Sequence, residues 1–119
     1  MFLNFSFPND SIGYIIDGVM DTAAIHYLRD EILKKLEEHD KINIYLEDAG
    51  VERFSLNSIV VSALFPHRHR DRFNKVAIVT DRKWIHFLTL VNNIFISATV
   101  RNFTTEKRMD AIGWITDDD

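Results

Sequence analysis

Lys75-Val76-Ala77-Ile78-Val79-Thr80-Asp81 is a short apolar run with a charge at each end. A β-branched run of this length reads as a strand buried on both faces, and its apolarity places it at the centre of a sheet. A nearly all-apolar helix, Leu56 to Phe65, is expected before it, and a helix bearing Trp84 and Phe87, running to Val91, after it. Pro66 ends or kinks the first of these, because proline lacks an N–H and clashes with the preceding turn.

Working outward towards the N-terminus, Lys41 to Asp48 alternates Ile42, Ile44 and Leu46 with Asn43, Tyr45 and Glu47. That is a strand, expected to close at Asp48-Ala49-Gly50. Asn and Glu on one of its sides imply helices mainly over the other face of the sheet and partial cover of this one. Ile25, Leu28, Ile32, Leu33 and Leu36 recur at helical spacing after Asp21, a suitable N-cap. Phe2 to Phe7 and Ser11 to Gly18 alternate with period two across the turn Pro8-Asn9-Asp10, which predicts an antiparallel hairpin.

Towards the C-terminus, Asp81 is placed to cap the Trp84 helix, which ends at Asn92-Asn93. Ile94-Phe95-Ile96 reads as an apolar loop or an extra turn, and Ala98 to Phe103 as a last strand. A final helix, capped by Thr104 or Thr105, carries Met109, Ile112, Trp114 and Ile115. The order β-β-α-β-α-β-α-β-α predicts a single α/β domain over residues 1–119: a five-stranded, mostly parallel sheet with an antiparallel N-terminal edge strand and right-handed crossovers.

The 119 residues contain no cysteine, which excludes disulfide and thiolate chemistry and fits a reducing compartment. No signal peptide is legible and no apolar run approaches the roughly 20 residues that span a bilayer. A cytoplasmic protein is therefore expected, able to lie against the inner face of the membrane. A net charge of −4 argues against nucleic acid as a partner. The basic residues Arg68, Arg70, Arg72, Lys75, Arg82 and Lys83 are nevertheless clustered on an acidic body, which suggests a localised anionic partner.

The order of elements resembles the SpoIIAA-like family. So do Lys75-Val76-Ala77-Ile78-Val79-Thr80-Asp81-Arg82-Lys83-Trp84, the Val100-Arg101-Asn102-Phe103 strand and the Ala111-Ile112-Gly113-Trp114-Ile115 ending. These are small STAS-related proteins that share features with CRAL-TRIO lipid-binding domains. The resemblance implies helices wound mostly along one side of the sheet and able to open an apolar cavity. It also implies lipophilic ligands or membrane association, and no reaction. Anti-anti-sigma members carry a phosphorylatable serine in an Asp-Ser pair after the third strand. Here that stretch, Glu47-Asp48-Ala49-Gly50-Val51-Glu52-Arg53-Phe54-Ser55, lacks the pair.

No catalytic constellation, cofactor motif or metal site emerges. Two histidines two apart, His67 and His69, chelate only from an extended segment, and Arg68 and Arg70 repel a cation there. Ser55, Ser58 and Ser62 have no nucleophile-elbow glycines, and the four glycines form no phosphate loop. Glu47 and Asp48 end a strand where open α/β sheets bind ligands, but adjacent strand residues point to opposite faces and make no acid/base pair.

Surplus apolar surface is the stronger signal, since it marks a ligand groove, a partner or a membrane contact. The expected ligand-binding wall is Leu56, Val60, Leu64, Phe65, Trp84, Phe87, Leu88 and Val91. Arg68, Arg70, Arg72, Lys75 and Arg82 are the expected contacts to an anionic membrane surface. The expectation is a non-enzymatic domain that binds a lipophilic ligand and touches membrane reversibly. The alternative is a STAS-type protein-interaction and regulatory module, or a homodimer, using the same apolar helix surface.

Overall fold

The computed structural model describes residues 2–6, 10–55, 72–83, 95 and 98–117, with the backbone alone at 2–6, 54 and 55. Its elements are β1 (Phe2–Ser6), β2 (Ser11–Asp21), α1 (Thr22–Glu38), β3 (Ile42–Ser55), β4 (Phe73–Val79) and β5 (Thr99–Phe103), followed by a 3-10 turn (Thr105–Lys107) that runs into α2 (Arg108–Thr116). The expected helices over 56–65 and 84–91, and the basic stretch 67–71, lie outside the described residues.

The sheet has five strands in the order β1-β2-β3-β4-β5. β1 is antiparallel to β2, and every other pair is parallel. The hairpin and the parallel body are as the alternating pattern predicts. The middle strand, however, is β3 and not the apolar β4, which lies one place in from the edge. β4 is buried on both faces all the same. Val76 and Ile78 join one core cluster with β2, β3 and α1, while Ala77 and Val79 join a second with Tyr45, Ala111 and Ile115. Burial on both faces, not centrality, is what its composition reports.

Helix α1 begins where the sequence places it. Asp21 accepts a hydrogen bond from the Ala24 N–H at 2.9 Å, and Ile32 and Leu36 are buried with Ala24, Ile25, Leu28 and Leu33 packed beside them. Helix α2 lies on the opposite face, so among the described residues the two helices cover different sides. The polar side chains of β3 had suggested thin cover there. They are instead the points at which α2 docks. The Asn43 amide donates to the Ile115 carbonyl at 3.1 Å, Ser11 Oγ donates to the same carbonyl at 3.0 Å, and Glu47 binds Arg108.

β3 continues seven residues beyond the expected stop at Asp48, still paired with β2. The Asp48 carboxylate accepts the Gly50 N–H at 3.0 Å and the Val51 N–H at 2.8 Å. Gly50 sits at φ 130° and Gly18, beside it on β2, at φ 74°. The pairing shifts register at Gly18, then resumes as Val19↔Arg53, Met20↔Phe54 and Asp21↔Ser55. Turn chemistry here makes a bulge and not an end. A Cβ at Gly50 would meet nothing within 4 Å, so only the backbone conformation opposes a side chain. Gly50→Ala is therefore expected to cost about 1–2 kcal/mol in urea unfolding; an unchanged midpoint would refute the strain.

Tyr14 is fully buried, and among the described residues its hydroxyl has no hydrogen-bond partner. An orphaned buried hydroxyl costs about 1–3 kcal/mol. Tyr14→Phe should accordingly stabilise the protein by about 1 kcal/mol. A loss of stability in the same urea titration would mean that the hydroxyl is bonded after all.

Candidate functional site

The carboxyl ends of β3, β4 and β5 bring together three acidic side chains, each held in place by donors from a neighbouring segment. Glu47, on the α2 face of β3, is 8% exposed; Arg108, at the start of α2, is 48% exposed. The two form a bidentate pair, with Nε to Oε1 and Nη2 to Oε2 both at 2.9 Å. The Tyr45 hydroxyl, two residues back on the same face, donates to the same Oε1. Asp48 points to the other face, as strand alternation requires. There Thr80 Oγ1 donates to its Oδ2 at 2.9 Å, and Arg82 approaches through Nε at 3.2 Å and Nη2 at 3.3 Å.

Asp81 is the third. The expected role was to cap the helix that follows it. That helix lies outside the described residues; among the described residues the carboxylate accepts the Thr105 N–H at 2.9 Å and the Thr105 hydroxyl at 2.8 Å, so it caps the 3-10 turn leading into α2. Neither Thr104 nor Thr105 caps that end with its own side chain, contrary to expectation. The Thr105 backbone N–H first, and its hydroxyl second, hold the Asp81 carboxyl below its ordinary value.

This geometry is poor equipment for catalysis. A general base needs a lone pair that can reach a substrate proton. Glu47 and Asp48 are each turned towards an arginine and a hydroxyl of their own chain. Burial, then the hydrogen bond to Glu47, pushes the Tyr45 phenol well above its ordinary value, so it stays protonated. Among the described residues no group of three or more His, Asp or Glu side chains is arranged to hold a metal ion. The rim of exposed side chains around the cluster is mixed in charge: Glu52 and Arg53 from β3, Arg82 and Lys83 after β4, Glu106 and Lys107 after β5.

Burial likewise raises Tyr14, with Glu31 adding to the effect. Both phenols titrate near 10.0 when free of the fold. A folded value above the unfolded one means that the stability they contribute is whole below that pH and is lost as pH rises past it. In an alkaline titration followed by phenolate absorbance, Tyr14 and Tyr45 are expected to ionise together with unfolding. Full ionisation of all three tyrosines with native circular dichroism would contradict this.

The residues expected to form the ligand wall, Leu56, Val60, Leu64, Phe65, Trp84, Phe87, Leu88 and Val91, lie outside the described residues, as do Arg68 and Arg70. The three other basic residues do not share one surface. Arg72 donates to the carbonyls of Leu36, His39 and Asp40 at the end of α1. Lys75 Nζ donates to the carbonyls of Trp114 and Asp117 at the end of α2, at 3.0 and 3.2 Å. Arg82 belongs to the Asp48 cluster. Arg108, Thr80 and Tyr45 were not legible as site residues; the alternation of β3 placed Tyr45 on the same strand face as Glu47 and no more.

No helix among the described residues is long and apolar enough to cross a membrane. No curated protein matches the chain by sequence. Among solved structures, an uncharacterized Shewanella loihica protein with a SpoIIAA-like fold superposes with a TM-score of 0.69 at 17% identity, over 97% of this chain and 92% of that one. The Bacillus cell fate determinant SpoIIAA in its phosphorylated form gives 0.59 at 10% identity, over 94% and 99%. The anti-sigma factor antagonist SpoIIAA in its unphosphorylated form gives 0.60 at 11%, over 94% and 97%. At these identities the likeness speaks for the fold. The SpoIIAA-like family profile matches residues 11–116, and with the sheet order and strand directions above it establishes that this chain belongs to the SpoIIAA-like family.

Proposed function

We propose that this chain is a regulatory, protein-binding module of the STAS type, without a reaction of its own. The observation that carries the reading is the joint one at the carboxyl ends of the strands. Each carboxylate there is neutralised or bonded within the chain, while the surrounding rim is exposed and charged in both signs. Such a rim suits a partner protein, because opposed charges set orientation and reject wrong partners. The likeness to an anti-sigma factor antagonist over nearly the whole chain supports the same class.

The test uses two exposed rim residues that the fold does not need. The wild-type chain and the Arg53→Glu/Lys83→Glu variant are used as bait in the cells of origin. A captured protein is then purified and titrated against both by calorimetry. A one-to-one complex weakened about tenfold or more in the variant supports the module. A reproducible substrate turnover by the purified chain sinks the non-enzymatic part.

A lipophilic ligand held between the helices expected from sequence over 56–65 and 84–91 is the second reading, favoured by the apolar composition of those segments. Arg72 and Lys75 offer it little, since both direct their hydrogen bonds to carbonyls of this chain. Salt-sensitive sedimentation with anionic vesicles would favour it over the protein-binding reading.

A further inference from the structure

Arg101 is exposed on β5, an outer strand of the sheet. Its guanidinium carbon lies 5.1 Å from the centroid of the Trp114 ring and 5.2 Å from that of Phe103. The two rings are themselves 6.0 Å apart, and Lys75 Nζ sits 5.6 Å from the Trp114 centroid. No described acidic side chain pairs with Arg101. A long cation that would otherwise sample solvent is thus fixed against two aromatic faces, and among the described residues no hydrogen bond takes up its N–H donors.

Among the described residues the backbone beside it is also open. Phe103 O accepts the Thr80 N–H at 2.9 Å, so Phe103 directs its main-chain groups at β4. In a parallel ladder alternate residues do so, hence Thr99 and Arg101 as well. Val100 and Asn102 therefore present their N–H and C=O groups away from β4, where no described strand lies.

We infer that the free edge of β5 adds an extended, acidic segment of a partner protein as a sixth strand, with a carboxylate of that segment received by Arg101. Strand addition of this kind takes its affinity from main-chain hydrogen bonds and its selectivity from side chains on alternate positions. A forked charge-assisted pair to a pre-positioned guanidinium supplies that selectivity. A second copy of this chain is disfavoured as the occupant. Antiparallel pairing of two β5 strands through Val100 and Asn102 sets Arg101 directly opposite Arg101, and like charges so placed repel. The inference rests on the protein-binding reading above, but uses a different surface from the charged rim.

The experiment is a titration of the full chain, labelled with nitrogen-15, with a capped pentapeptide of alternating valine and glutamate, and with its valine–lysine counterpart. The acidic peptide is expected to shift the amides of Val100 and Asn102 more than those of Thr99, Arg101 and Phe103. Arg101→Gln should weaken it about tenfold. Asn102→Pro, which removes an outward donor at an edge position where proline is tolerated, should abolish the shifts while β4 resonances stay in place. The inference is overturned by no shift at millimolar peptide, by equal response to the lysine peptide, by indifference to Arg101→Gln, or by concentration-dependent β5 shifts without peptide, which would mean self-pairing. A rim-binding module could give any of these while still passing the calorimetric test, so the two failures are distinguishable.

Discussion

Glu47→Ala is expected to unfold at markedly lower urea, with a loss of about 3 kcal/mol. Two groups lose their partner at once. Tyr45 is 1% exposed, so its hydroxyl loses the Glu47 acceptor with no water at hand to replace it. That alone costs about 1–3 kcal/mol. The Arg108 pair adds less than its bidentate geometry suggests, because the guanidinium is half in solvent and screened there. The loss should be largely recovered in Glu47→Ala/Tyr45→Phe, since removing both partners of a buried hydrogen bond costs far less than removing one. Amide exchange should show α2 freed first, as Glu47 is its anchor at the β3 end. A shift in stability below about 0.5 kcal/mol would mean that the pair behaves as an ordinary surface ion pair.

Arg72→Ala is the second large effect, about 2–3 kcal/mol. The last carbonyls of a helix have no partner within it. At the end of α1 they are met by one side chain from the strand approach across the sheet. Arg72 Nη2 reaches Leu36 O and His39 O, the latter at 2.7 Å, and Nε reaches Asp40 O at 2.8 Å. The Arg72 carbonyl in turn accepts the Ile42 N–H at 3.0 Å, so the residue ties α1, the turn after it and the start of β3 together. Arg72→Lys should recover less than half of the loss, since an ammonium cannot bridge three carbonyls with a fixed fork. Equal stability of the lysine variant and wild type would show that charge at the helix end, not the fork, is what matters.

These two positions mark where the sequence was legible and where it was not. Elements with a clear period could be read directly: the alternation in β2 and β3, the 3.6 spacing in α1, and the doubly buried β4. Pairing across the chain could not. Arg72 reads as one more member of a basic run, and only the fold shows that its target is the end of α1. Asn43 and Glu47 read as solvent-facing because polar side chains on a strand usually are. They face α2 because a short helix with buried Ala111 and Ile115 has little apolar surface and docks through hydrogen bonds at both ends. Asp48-Ala49-Gly50 has the composition of a turn, and a positive-φ glycine serves a bulge equally well. The strand beyond it could not be foreseen, since its pairing partner is set by the equally unusual Gly18.

The candidate site followed the same division. Glu47 and Asp48 were recognisable as ends of a strand in the right place and as an unsuitable acid/base pair. Their partners come from the segment just after β4 (Thr80, Arg82) and from the start of α2 (Arg108), and no local pattern links positions 61 and 34 residues apart.

Native mass spectrometry of the chain, gently isolated from its own cells, tests the central claim most directly. The account predicts a stoichiometric complex with a protein, depleted in the Arg53→Glu/Lys83→Glu variant. An adduct of lipid mass that disappears on organic extraction, with no protein partner, would contradict it.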